Sequence, residues 1–384
     1  MNILLLCEGD PATRDSWSGL TLSLFEQLRA RDHRVHSGDV ELHGVRRWVA
    51  AGASFSPERR RWSTRFRLHD VPFRYRSRAA DRHLSGLGET VDFILQIGAT
   101  FAPRGQNGTP YFLLCDSNIH MAREAAATGH SEAVALTERE IAAVDAREAE
   151  VYARATGIFT ISEWARRSFT AHYGVPADRV HAVYPGPNFD PRAIPAAARS
   201  AELDHPPRIL FVGRQFERKG GDVLLAAFRQ IRRELPDAML TIVGPDHKPA
   251  DEPGVQWLGF LDKDDPSQWA ALARAYAGAN VFCLPTRFEP LGVAFIEAMY
   301  FGLPCVGTNV CAVGEMIVDG ETGHLVERND VSQLGDRLLR LLRDPAAARR
   351  MGEAGRARAK ARFSWGAVAD RILEAASAAL QVRR

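Results

Sequence analysis

The sequence predicts an α/β protein built from two parallel-sheet domains. Three observations carry that expectation. The chain has 384 residues, beyond the roughly 250–300 at which a single hydrophobic core stops growing, so two domains are expected. Short continuous apolar runs alternate with longer polar or amphipathic stretches, the pattern of buried parallel strands separated by helices. Six prolines, Pro185, Pro187, Pro191, Pro195, Pro206 and Pro207, interrupt regular structure between Tyr184 and Arg208, where a linker belongs.

The elements follow in order. Residues 2–7 read as a strand running into Glu8, Gly9, Asp10 and Pro11, and residues 20–31 as a helix. Strands are then expected at 91–97, 111–115, 157–161 and 180–184. The alternation restarts with strand 208–212, helix 222–234, strands 238–243 and 255–257, helix 268–276 and strand 281–284. Helix 293–301, strand 304–307 and helices 331–343 and 345–362 complete the second sheet. A last stretch, 365–380, places Val368, Ile372, Leu373, Ala376 and Leu380 at helical spacing with nothing left to close in its own domain, so it should pack back across the linker. The expected domains are therefore 1–188 with the terminal helix 365–384, and 204–364.

Composition excludes several classes. Hydrophobic residues at 46% and charged residues at 25% are ordinary for a folded globular chain. A net charge of +2 supplies no case for a nucleic-acid partner. Cys7, Cys115, Cys283, Cys305 and Cys311 are too scattered for a disulfide framework or a zinc site. The first residues lack a basic leader and a cleavage site, and no apolar run approaches the roughly 18 residues that span a bilayer. The expected location is the cytoplasm, free or peripheral at the inner face of the membrane.

The most specific stretch is Thr286, Arg287, Phe288, Glu289, Pro290, Leu291, Gly292, Val293, Ala294, Phe295, Ile296, Glu297. Glu289 falls just before a helix and Glu297 in its second turn. A ligand at the strand's carboxyl end can therefore meet one carboxylate on each side of the helix entrance. The free N–H groups of a helix start suit a diphosphate, and Gly292 lets the backbone approach it closely. Two glutamates alone would merely favour the helix dipole. A second stretch, from Val212 through Gly213, Arg214, Gln215, Phe216, Glu217, Arg218, Lys219 and Gly220 to Gly221, lies directly after the first strand of the second domain. Arg214 can hold phosphate oxygens in a fork and Lys219 can add a point charge, which would neutralise a departing diphosphate. The plain alternative is a solvated loop.

With these residues in view, the chain resembles the family 4 retaining glycosyltransferases of GT-B fold. Their E-x7-E motif is matched by Glu289 to Glu297, and their basic pair by Arg214 and Lys219. The likeness runs from Ile161, Ser162 and Glu163 through Tyr173 to Val175, then through Val183 to Gly186, and on to the end of the second domain. It implies two Rossmann-like domains facing across a cleft, the first binding acceptor and the second a nucleotide sugar. It implies transfer, with retention, from a UDP- or GDP-linked sugar to a hydroxyl of a glycan, lipid-linked or small-molecule acceptor. Glu289 would contact the donor sugar, Glu297 the ribose, and Arg214 and Lys219 the diphosphate. Leu291, Gly292 and Val293 would offer amides, with Gly213 and Pro290 beside them, and residues 245–261 would border the base. No cofactor or metal is expected, in keeping with the lack of an Asp-x-Asp motif beside the phosphate loops.

Two departures from the family pattern lie in the first domain. The usual glycine pair after the first strand is replaced by Asp15, Ser16, Trp17, Ser18 and Gly19. Ser18 and Gly19 then read either as a helix N-cap or as a phosphate contact. Where many members carry a histidine near the reacting sugar, Asp116 comes first and His120 four residues later. Either would bond the sugar or help take the acceptor proton, or His120 is a structural hydrogen-bonder. A further stretch, 46–82, is dense in arginine and carries Trp48, Phe55, Trp62, Phe66, Phe73 and Tyr75. It suits an anionic or lipid-linked acceptor, a negatively charged membrane surface, or a solvated helical face. Two other functions stay open: a nicotinamide-dependent oxidoreductase, against which the first strand lacks a following G-x-G-x-x-G, and a non-catalytic nucleotide-sugar-binding protein, against which both glutamates and both basic residues are present.

Overall fold

The continuous apolar runs become parallel strands because each must bury both of its faces, and helices on either side supply the cover. The computed structural model describes residues 1–13, 16–104, 108–129, 131–194, 206–245 and 251–382. They cluster in two units, Met1–Pro185 with Trp365–Arg384, and Gly186–Ser364. The division thus falls at Pro185, ahead of the expected limits 188 and 204. Asn188 explains part of the difference, since its backbone N–H donates to Glu297 of the second unit at 3.1 Å. The rest of the expected linker, 195–205, lies outside the described residues.

The first unit runs β1 (Asn2–Cys7), α1 (Leu20–Arg29), β2 (Arg34–Asp39), α2 (Gly44–Ala53), α3 (Arg59–Leu68), α4 (Asp70–Gly86), β3 (Phe93–Ile97) and β4 (Tyr111–Cys115). It continues with α5 (Ile119–Glu124), α6 (Glu138–Arg154), β5 (Gly157–Thr160), α7 (Glu163–Ala171) and β6 (Val180–Ala182). The six strands form one parallel sheet in the order β2-β1-β3-β4-β5-β6. Side chains alternate between its faces. Leu4, Leu6, Ile94 and Leu113 meet Phe73, Tyr152 and Phe169 on one side. Ile3, Leu5, Phe93 and Leu95 meet Leu24, Phe25 and Leu28 on the other.

The second unit runs β7 (Arg208–Val212), α8 (Gly221–Glu234), β8 (Met239–Val243), β9 (Val255–Gly259), α9 (Pro266–Ala277), β10 (Val281–Leu284) and α10 (Val293–Tyr300). It ends with β11 (Cys305–Thr308), α11 (Val313–Met316), β12 (Gly323–Val326), α12 (Val331–Arg343) and α13 (Pro345–Arg362). Its sheet, also parallel, has the order β12-β11-β10-β7-β8-β9. The chain then returns. Helix α14 (Trp365–Val382) buries Val368, Ile372 and Ala376 against the α1 side of the first sheet, as its unpartnered apolar stripe required.

Two strands escaped the sequence reading, and both are edges. Strand β2 reads Arg-Val-His-Ser-Gly-Asp and pairs with β1 from Asn2↔Arg34 to Cys7↔Asp39. An edge strand has one flank in water and need not be apolar, so the continuous-run signal is missing. Strand β12 is four residues long and enters at Gly323, where a Cβ would stand 1.9 Å from the Cys305 carbonyl oxygen.

One buried acid gives the first unit a pH dependence. Glu148 on α6 accepts the Ile119 N–H at 2.9 Å and the Tyr173 hydroxyl at 2.9 Å. Burial disfavours its charged form and pushes its pKa from 4.5 up to about 7. The folded state thus holds this proton more tightly than the unfolded chain. The associated stability is complete below about pH 4.5 and is lost as pH rises through about 7. Glu148→Gln should remove up to roughly 3 kcal/mol of that dependence. Melting temperatures of both proteins across this window test it, and an equally steep curve in the variant refutes it.

Candidate functional site

The candidate site of the second unit follows from strand order. Strands β7 and β10 are central neighbours, paired at Val281↔Ile209 and Phe282↔Leu210. From β7 the chain moves on to β8 and β9, and from β10 to β11 and β12 on the opposite side. Loops leaving the carboxyl ends of two such strands part in opposite directions, which opens a topological switch point where open α/β sheets bind ligands. Those loops, 213–220 and 285–292, carry most of the two stretches singled out in the sequence.

The loops are stitched together. The Arg287 N–H and the Thr286 hydroxyl donate to the Arg218 carbonyl at 2.9 and 3.2 Å. The Arg218 guanidinium donates to the Phe288 carbonyl at 2.6 Å. Arg287 forks onto Asp222 with two bonds of 2.7 Å. Gly220, at φ 75°, lies so near Pro285 that a Cβ would be 1.9 Å from its carbonyl oxygen. Across this seam Lys219 pairs with Glu289, their side chains only 14% and 8% exposed. Burial lowers the lysine pKa, while Glu289 opposes that shift.

Helix α10 starts from Gly292 in the left-handed conformation, φ 88°, with no side-chain cap. The Phe295 N–H is taken by the Gly292 carbonyl at 2.9 Å, which leaves the amides before it and the half-dipole to face an anion. A Cβ here would reach 3.0 Å from Glu289 Cγ and 2.8 Å from Phe295, so only glycine fits. Leu291 is buried, and Pro290 and Val293 are half-buried beside it. One helical turn on, Glu297 is 2% exposed. It accepts the Tyr276 hydroxyl at 3.1 Å and the Asn188 N–H, and it pairs with Lys263. Burial, then the nearby Glu297 charge, raises the Tyr276 pKa well above its ordinary value. The Lys263 ammonium lies 5.9 Å over the Phe189 ring.

The structure thus joins Lys219, Glu289 and Gly292 in one cluster and sets Glu297 in a second, each glutamate with its own lysine. Lys263, Tyr276 and Asn188 were missed by sequence reasoning. Lys263 stands in a short acidic loop, Asp262-Lys263-Asp264-Asp265, with no periodic signal to mark it; Asp262 and Asp264 have the Asp-x-Asp spacing that the sequence reading took to be lacking beside the phosphate loops. The expected basic pair is split in exposure. The Lys219 side chain folds back over Gly213, where a Cβ would meet its Cγ at 3.1 Å, whereas Arg214 is exposed and stacks its guanidinium 4.6 Å over Phe260. Of the stretch expected to border a base, 246–250 lies outside the described residues.

In the first unit the switch point falls between β1 and β3. Helix α1 is entered from Gly19 in the left-handed conformation, φ 81°, with no side-chain cap. Gly19, and not Ser18, is therefore the N-cap residue. The side chain of Ser18 and all of Asp15 lie outside the described residues. Asp116 directly follows β4, accepts the Ser117 hydroxyl at 3.1 Å, and has its pKa raised by burial. His120 sits on α5 with its ring stacked on His172 at 3.7 Å, and 3.5 Å from Glu124. His120 lines a cavity of about 450 Å³ with Trp164, Arg167 and His172, and Asp116 is not part of that lining. Among the described residues no group of three metal-ligating side chains converges.

Two parallel six-stranded sheets of this order match the GT-B fold of solved structures, and residues 196–358 match the model of the family described as glycosyl transferases group 1. It is 31% identical over 243 residues to the GDP-mannose-dependent alpha-(1-6)-phosphatidylinositol monomannoside mannosyltransferase of Mycolicibacterium smegmatis, a match covering 58% of this chain and 63% of that protein. It is 32% identical over 228 residues to the D-inositol 3-phosphate glycosyltransferase of Segniliparus rotundus, covering 55% and 50%. The matches thus span about half to two thirds of the relatives' length. Among solved structures, the sucrose-phosphate synthase of Thermosynechococcus elongatus aligns over 97% of this chain and 98% of its own, with TM-score 0.70 and 22% identity. WaaG, a glycosyltransferase of lipopolysaccharide biosynthesis, aligns over 96% and 98%, with TM-score 0.64 and 16% identity.

Proposed function

We propose that the protein transfers a sugar, with retention at the anomeric carbon, from a nucleoside diphosphate to an acceptor hydroxyl. The observation that carries this reading is the Lys219–Glu289 pair crossing the switch point ahead of the uncapped start of α10. A diphosphate bound there would meet the amides of Leu291, Gly292 and Val293 and the charges of Lys219 and Arg214. Negative charge grows on the departing diphosphate as the glycosidic bond breaks. Fixed cations and amides lower that barrier because they need no reorganisation. Glu289 would accept hydroxyls of the donor sugar while holding Lys219 in place. Glu297, already fixed by Tyr276, Asn188 and Lys263, would accept ribose hydroxyls. The first unit would hold the acceptor, with Asp116 or His120 near its hydroxyl. Because two cations serve the leaving group, transfer would need no divalent metal.

A GDP-linked sugar is the first donor to try, since the mycobacterial relative is named as GDP-mannose-dependent; UDP-linked sugars come next. Thermal shifts with GDP, UDP and ADP, followed by turnover of the matching sugar nucleotide in EDTA, test the reading. One diphosphate should raise the melting temperature by several degrees, and the product should keep the donor's anomeric configuration. If no nucleoside diphosphate shifts the melt, or if turnover requires nicotinamide, the proposal fails.

A further inference from the structure

We infer that helix α2, the loop after it and the start of α3 form a docking surface for an anionic lipid bilayer. Helix α2 is amphipathic in the reverse sense. Its inward residue is the small Ala50, fully buried, while Val45, Trp48 and Val49 are 78%, 78% and 46% exposed. Their spacing of i, i+3 and i+4 puts them on one face. A core-facing helix turns its large apolar residues inward, so this face is built for something other than its own core.

The apolar surface continues past the helix and is held in shape. Phe55, 59% exposed, meets the edge of Trp62 at 5.6 Å between ring centroids. The Trp62 indole N–H donates to the Ala51 carbonyl at 2.9 Å, and the Arg65 guanidinium donates to the Phe55 carbonyl at 2.6 Å. Of the seven large apolar residues that stand exposed among the described residues, five fall between Val45 and Trp62, and only Val134 and Phe260 lie elsewhere. Scattered single residues need no explanation, but a contiguous cluster marks an interaction site.

Charge selects the partner. Seven arginines lie between Gly44 and Arg67, against the single acid Glu58. Arg47 is paired with Glu41, Arg61 and Arg65 with Glu140, and Arg67 with Glu132. Arg46, Arg59 and Arg60 have no carboxylate partner among the described residues, and Arg60 donates to the Ser131 carbonyl at 2.8 Å. Exposed Trp and Phe flanked by uncompensated arginines match the interfacial and anionic layers of a membrane surface. A second copy fits less well, because a two-fold contact would set these like charges against each other. No helix among the described residues is long and apolar enough to cross a membrane, so the contact would be interfacial.

The full chain should co-sediment with mixed phosphatidylglycerol–phosphatidylcholine vesicles and much less with phosphatidylcholine alone, and added salt should weaken the binding. Val45→Ser with Trp48→Ser, and separately Arg46→Glu with Arg59→Glu, should each reduce partitioning at least about tenfold. Both pairs are exposed, so melting temperatures should be unchanged and nucleoside-diphosphate binding retained. Equal partitioning of either double variant and the parent overturns the proposal. So does a parent that binds neither kind of vesicle, or a concentration-dependent dimer in sedimentation velocity that Trp48→Ser dissolves.

Discussion

Lys219→Met is expected to lower kcat/KM for sugar transfer by about 10²–10³-fold, the usual cost of removing one fixed group that stabilises transition-state charge. The same change breaks an ion pair that is nearly out of water, 14% and 8% exposed, and leaves Glu289 without its partner. Removing one member of such a pair costs roughly 3 kcal/mol of stability. Lower activity in this variant alone would therefore mix a chemical effect with a folding effect. Glu289→Gln should destabilise similarly, for the mirror-image reason. The double variant Lys219→Met/Glu289→Gln separates the two effects, because no uncompensated charge is left behind. Its urea midpoint should recover most of the lost stability, while transfer stays as low as in the worse single variant. Recovered activity in the double variant would show that the pair is structural only.

Gly220→Ala is expected to be among the most damaging single-methyl additions in the second unit. The backbone there is left-handed, φ 75°, and the added carbon would stand 1.9 Å from the Pro285 carbonyl oxygen. The obstacle is backbone on a central loop, which cannot rotate aside as a side chain can. Strain at the dihedral and displacement of the loop should together cost roughly 3–4 kcal/mol. Separating the two switch-point loops would also break the Arg218 bonds to Thr286, Arg287 and Phe288, so nucleoside-diphosphate binding should fall along with stability. Denaturation by urea and a diphosphate titration measure both. Near-parent stability would mean that the loops can part without loss.

Much of this was legible because burial writes itself into sequence. Strands β1, β4, β7 and β10 are apolar throughout or nearly so, and their limits could be read directly, because a strand covered on both faces tolerates few polar residues. Edge strands β2 and β12 are wetted on one flank, and their polar or short sequences carried no such mark. The helices α2, α3 and α4 are rich in arginine, and only their packing showed that Ala50 turns inward and Trp48 outward.

The candidate site divides the same way. Glu289, Gly292, Glu297 and Lys219 stand in local stretches whose turn and helix chemistry is carried by adjacent residues, so the sequence alone marked them. It also determined the two-sheet architecture and the return of α14, through an apolar stripe that nothing nearby could cover. Which lysine faces which glutamate was decided only by the tertiary fold. Lys219 meets Glu289 across 70 positions, and Lys263 meets Glu297 across 34. Those meetings depend on strand order, because parallel crossovers bring distant loops to one sheet edge, and no local pattern of residues encodes which loops become neighbours.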